Sequence, residues 1–86
     1  MKLQFTEQGW DDYQFSQQND QRMLGKINDL LKDCRRSPYS GLGKPEALRR
    51  SLSGWWSRRI NDEHRLVYRV EEDILIVQQC GYHYEK

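Results

Sequence analysis

Cysteine is scarce in this chain. Its 86 residues hold Cys34 and Cys80, and neither carries CxxC or Cys/His spacing. A disulfide framework or a zinc site is therefore not expected, and both thiols read as small buried apolar groups. Long apolar runs are missing too. The longest, Ile74 to Val77, is far too short to cross a bilayer. The opening residues lack a basic region followed by a long apolar run, so no signal peptide is expected. The expectation is a soluble, cytoplasmic protein of one domain, residues 1–86, with one modest core and neither metal, cofactor nor membrane contact.

A net charge near zero conceals an uneven distribution. The formal charge is +1 overall, but residues 35–70 carry an excess of basic groups, most of them arginine. The two flanking segments are acidic. Guanidinium groups offer planar, bidentate donors suited to phosphate, whereas lysine would serve for plain solubility. A basic middle with acidic ends points to an anionic partner.

The organising stretch is Ser53 to Val70, two strands joined by the polar turn Asn61-Asp62-Glu63-His64. Leu66, Tyr68 and Val70 share one face of the second strand, and Arg65, Val67 and Arg69 the other. Burial of Ile60 beside Leu66 brings Arg59 to the face of Arg65. RNA phosphate is the expected partner of such a face. His64 reads as a turn residue.

Elsewhere the periodicities are plain. Lys2 to Phe5 is a short strand, and Thr6 caps a helix to about Gln18 with Trp10, Tyr13, Gln14 and Gln17 on one stripe. Asn19 or Asp20 caps a second helix, whose buried face is Met23, Ile27, Leu30, Leu31 and Cys34. Arg35 and Arg36 end it and Pro38 stops it. Two helices so closely linked form an antiparallel pair. A loop follows over residues 37–45, then an extended Glu46–Arg50 with Leu48 and Leu52 inward. Glu71-Glu72-Asp73 is a second tight turn, and Ile74 to Val77 reads as a central strand covered on both faces. The class is α+β: a strand and a helix pair on one face of an antiparallel sheet, the other face open.

Gly43-Lys44-Pro45-Glu46, then Leu52-Ser53-Gly54-Trp55-Trp56-Ser57-Arg58-Arg59-Ile60, then His64-Arg65-Leu66-Val67-Tyr68 strongly resemble the YoeB (Txe) toxins of the RelE/ParE superfamily. The similarity runs from Lys2-Leu3 through Trp10-Asp11-Asp12-Tyr13 to His83-Tyr84. It implies a RelE-like, microbial-ribonuclease-like fold that cleaves mRNA in the ribosomal A site. It also implies a cognate YefM-like antitoxin, frequent homodimers, and contact with operator DNA only as the toxin–antitoxin complex. Residue by residue, the family's acid/base glutamate falls on Glu46, its phosphate-binding arginine on Arg65, and its final His-Tyr on His83 and Tyr84. Arg59 matches a supporting basic residue, and Arg49 stands where a basic residue is usual; Lys44 completes the basic set. Glu85-Lys86 extend past the point where close relatives stop.

Metal-free RNA cleavage needs a base for the 2′-hydroxyl proton, an acid for the leaving 5′-oxygen, and cations for the charge growing on phosphorus. On the resemblance Glu46 is the base, His83 the acid, and Arg65 with Arg59 the clamp. Histidine suits the acid role, its ordinary pKa of about 6.5 lying near physiological pH. From residue type alone, Glu46 is equally a loop carboxylate paired to Lys44 or Arg49, and His83 a terminal residue. Tyr84 either stacks on a base or packs as a terminal hydrophobe. Arg65 points to function unaided, because it opens a strand on the face away from the core. Two other functions fit the same chain. One is a ParE-like toxin acting on gyrase without nuclease activity; the other is a non-catalytic nucleic-acid-binding module.

Overall fold

The computed structural model describes residues 1–82. Strand β1 (Lys2–Phe5) leads through Thr6 into helix α1 (Glu7–Asn19). The Thr6 hydroxyl accepts from Gly9 N and donates to the Gln78 carbonyl, while Thr6 N donates to the Val77 carbonyl. The cap thereby fixes the helix start on the last strand. Asp20 alone links α1 to α2 (Gln21–Arg36): its N–H closes the first helix on Ser16 O, and its carboxylate accepts from Met23 N to cap the second. So short a link leaves the helices no option but to double back.

After the loop at 37–45 come β2 (Glu46–Ala47), a single 3-10 turn (Arg50–Leu52), β3 (Trp56–Arg59), β4 (Arg65–Glu71) and β5 (Ile74–Cys80). They form a five-stranded sheet in the order β1-β5-β4-β3-β2. β2 to β5 pair antiparallel, as expected, but β1 runs parallel to β5, so the sheet is mixed. The reason is the Thr6 anchor. With α1 starting at the far half of β5, β1 must run alongside β5 in the same sense.

The core lies between the helices and one sheet face. Met23, Ile27, Leu30, Leu31 and Cys34 from α2 meet Ile60, Leu66, Tyr68, Leu75, Val77 and Cys80. A register shift at Val67/Tyr68 bulges the β4–β5 pair. It lets Cys80 turn inward with Val77 despite their odd spacing, as an extra residue in one strand does. Burial raises both thiols' pKa, that of Cys80 to about 12, so they sit as inert apolar groups.

Three further expectations need correction. The buried stripe of α1 is Gly9, Asp12 and Ser16, whereas Trp10 is 46 % exposed and Gln17 exposed. α1 approaches β5 so closely that only small or hydrogen-bonding residues fit: a Cβ on Gly9 would collide with the Val77 carbonyl, and Asp12 accepts from Cys80 N. Trp10 and Tyr13 instead stack at the rim against Phe5. β5 is interior to the sheet but fully covered on one face alone, since Ile74 and Ile76 are half-buried. Finally, strand β2 spans only Glu46–Ala47, and the chain, still extended at Arg49, turns at Arg50, whose φ is positive, rather than running extended through it.

Candidate active site

Strand register brings together the site's strand residues. β2 sets Glu46 opposite Ser57, and β3 sets Arg59 opposite Arg65. With side chains alternating along each strand, Glu46, Ser57, Arg59 and Arg65 fall on the face turned away from the helices. Arg59 N also donates to the Gly43 carbonyl at 2.7 Å, drawing the end of the loop alongside β3. Lys44, Pro45, Glu46, Arg59 and Arg65 line a shallow cleft of about 370 Å3. A larger hollow of about 730 Å3 between β1, α2 and Leu42 lacks this chemistry, its Asp33 being committed to Arg36 and Arg58.

Within the cleft Arg65 Nη1 stands 3.8 Å from Glu46 Oε1 and donates to Ser57 Oγ at 3.3 Å. Both charged side chains remain open to solvent, Arg65 at 47 % and Glu46 at 65 %. So loose and wet an ion pair contributes little to stability and leaves both groups available. Arg59 leans on Asp62 at 3.0 Å, also at the surface. Lys44 is held in the left-handed region at φ 54, a conformation that strains any residue with a Cβ and gathers at working sites. Of the sequence candidates, Lys44, Glu46, Arg59 and Arg65 therefore come together. Arg49 is exposed but does not line the cleft. His83 and Tyr84 lie outside the described residues. Just before them, Gly81 N donates to Arg65 O, and Tyr82 N donates to His64 Nδ1 at 3.0 Å, so His64 secures the chain leaving β5. Ser57 carries no signal in the sequence, a lone serine in a strand being unremarkable.

Arg58 is the larger surprise. It belongs to the basic hairpin by sequence yet is 0 % exposed, because its place opposite Leu66 turns it under the sheet. Its guanidinium donates to Asp33 Oδ2 at 2.7 Å, to the carbonyls of Ser37, Ser40 and Leu42, and to the Tyr68 hydroxyl. Tyr68 in turn donates to the Pro38 carbonyl, and Asp33 accepts from Leu42 N. The Leu42 amide, with Arg58, holds the Asp33 carboxyl at about 2. Burial pushes the Tyr68 hydroxyl up to about 12. Among the described residues no cluster of His, Cys, Asp and Glu could hold a metal ion, and no helix is long and apolar enough to cross a membrane.

Comparison with known proteins gives the family. Residues 5–84 match the sequence model of the YoeB-like toxin of bacterial type II toxin–antitoxin systems. Toxin YoeB of Escherichia coli K12 is 56 % identical over 84 residues, covering 98 % of this chain and all of that protein. A YoeB/ParE toxin from Agrobacterium tumefaciens superposes with a TM-score of 0.94 at 53 % identity, over 98 % of this chain and 100 % of that one. A heterotetrameric YoeB–YefM complex and a YoeB dimer from Staphylococcus aureus give 0.91 and 0.89, each at 47 % identity and 98 % coverage of both chains. The chain belongs to the YoeB-like toxins of bacterial type II toxin–antitoxin systems.

Proposed function

We propose that this toxin is a ribosome-dependent mRNA endoribonuclease that works by general acid–base catalysis. The observation that carries the reading is the solvent-open Glu46 carboxylate 3.8 Å from Arg65, in a cleft shared with Arg59 and Lys44. A base beside a cluster of cations is what attack on a phosphodiester by its own 2′-hydroxyl requires. Glu46 takes the hydroxyl proton as the 2′-oxygen bonds to phosphorus. Arg65, Arg59 and Lys44 neutralise the charge that grows on the phosphoryl oxygens. His83 returns a proton to the departing 5′-oxygen, leaving a 2′,3′-cyclic phosphate and a 5′-hydroxyl. Tyr84 stacks on a base, and Arg49, outside the cleft, contacts phosphate further along the strand.

The basic face also suits one of two expected partners, the antitoxin. A YefM-like antitoxin with an acidic, apolar segment folds over it and blocks it, and a second copy of the chain completes a homodimer. The relatives' YoeB–YefM complex and YoeB dimer support an antitoxin partner and a dimer. The toxin works in the cytoplasm, where ribosomes and mRNA meet, and reaches operator DNA only with its antitoxin. Defined mRNA on programmed ribosomes tests the reading. Cleavage in the A-site codon with a cyclic-phosphate end is the expected result. Inhibition of gyrase without cleavage would hand the chain to the ParE-like alternative, and RNA retention without either activity to a binding module.

A further inference from the structure

The loop at 37–45 has almost nothing of its own to hold it. It brings two prolines, two glycines and exposed Tyr39 and Leu42, yet it must deliver Lys44 and Glu46 to the cleft. Its carbonyls at Ser37, Pro38, Ser40 and Leu42 all accept from one buried pair of side chains, Arg58 and Tyr68. Asp33 takes the Leu42 amide and neutralises Arg58. Gly41 packs against that carboxylate so closely that a Cβ would strike it. At the end of the same strand, Arg59 faces the cleft and its amide binds the Gly43 carbonyl. Neighbouring residues of β3 thus serve opposite faces: Arg58 fixes the loop from beneath, and Arg59 joins the site above.

We propose that Arg58, held by Asp33 and Tyr68, is a positioning residue that sets Lys44 and Glu46 relative to Arg65. A buried ion pair is weak evidence for stability, since well-packed apolar residues would often serve as well. A five-donor guanidinium spent on three loop carbonyls specifies a backbone path, which an apolar side chain could not do. The geometric demand on a general base is tight: misplacement by an ångström costs about a hundredfold in rate.

The inference rests on the nuclease reading, and its test separates the two. Single-turnover cleavage on programmed ribosomes is measured for wild type, Arg58→Lys and Tyr68→Phe, alongside ribosome affinity, thermal melts and amide hydrogen exchange. The chemical step should fall about a hundredfold in Arg58→Lys and by less in Tyr68→Phe, with ribosome affinity unchanged. Exchange should quicken at the amides of residues 39–44 while α2 and β4 stay protected. A stabilising osmolyte should leave the rate defect in place, whereas a defect of folding alone would vanish. Should Arg58→Lys not fold, Tyr68→Phe decides, since it removes one hydroxyl and keeps the ring. Wild-type rates in a folded variant, unchanged loop exchange, or full rescue by osmolyte would overturn the positioning role. A silent wild-type protein would overturn the nuclease reading itself, and the inference with it.

Discussion

Arg59 and Arg65 stand directly opposite each other across the β3–β4 hairpin. Like charges directly opposite destabilise a sheet. Neither is fully compensated: Asp62 serves Arg59 at the surface, and Glu46 meets Arg65 at 3.8 Å. On the nuclease reading the pair awaits the phosphate of a bound RNA.

Removing members of the site should therefore separate folding from activity. Glu46→Ala and Arg65→Ala should melt within about 1 kcal/mol of wild type, as exposed pairs allow. Cleavage should fall by roughly two to four orders of magnitude for the base and two to three for the cation. Thermal melts beside ribosome assays check this, and a variant that unfolds was wrongly placed at an open cleft.

Lys44 offers the converse test. Its φ of 54 is strained for any residue with a Cβ, at a cost of roughly 1–2 kcal/mol. Lys44→Gly should relieve the strain and raise stability by about 1 kcal/mol, less the added freedom of the unfolded chain. Activity should drop because the ammonium is gone. Denaturant unfolding and cleavage, measured on the same preparation, should move in opposite directions.

Acid should loosen the loop's foundation in a set window. The Asp33 carboxyl is lowered from 3.8 to about 2, first by the Leu42 amide and then by Arg58. A depressed folded pKa adds stability that is fully present above the unfolded value and lost as pH falls through the folded one. Asp33→Asn should be less stable than wild type near neutrality, and the difference should close between about pH 4 and pH 2. A gap that persists at pH 2 would remove the charge of Asp33 from the account.

Close approach and open helix surface should give glycine substitutions opposite signs. Gly9→Ala drives a methyl into the Val77 carbonyl and should cost about 1–3 kcal/mol. Gly25→Ala, in the second turn of α2 with nothing near its Cβ, should gain about 0.5–1 kcal/mol. Chemical denaturation of the two variants is the check.

What could be read from the sequence follows from where side chains alternate cleanly. α2 shows its face because five apolar residues recur at helical spacing against solvent-facing charge, and the core takes all five. The hairpin and its shared Arg59–Arg65 face follow from Ile60 and Leu66 in the same way. α1 misleads because its inward face is glycine, aspartate and serine, chosen for closeness to β5 and for a bond to Cys80, and no hydrophobic scale sees that. Arg58 misleads for the same reason: a buried arginine looks like a surface one until Asp33, 25 residues away, is known to meet it. Of the site, the Glu46–Arg65 meeting needs the β2–β3 register, which a two-residue strand barely announces.

The end of the chain gives the last test. Tyr82 N binds His64 Nδ1 and Gly81 N binds Arg65 O, tying the last described residues to the strand that begins with Arg65. On the nuclease reading, the two residues that follow supply the acid and a stacking ring. Deleting only Glu85 and Lys86 should leave cleavage largely intact. Deleting residues 83–86 should lower the rate by roughly two to four orders of magnitude, the worth of one positioned acid. Melting should change little, since chain ends seldom carry a core. Substrate chemistry then separates the roles. A 5′-bridging phosphorothiolate at the scissile bond carries a leaving group that needs no proton. It should rescue His83→Ala but not Arg65→Ala, whose loss is of charge stabilisation. Equal rescue of both, or none for His83→Ala, would take the acid role away from His83.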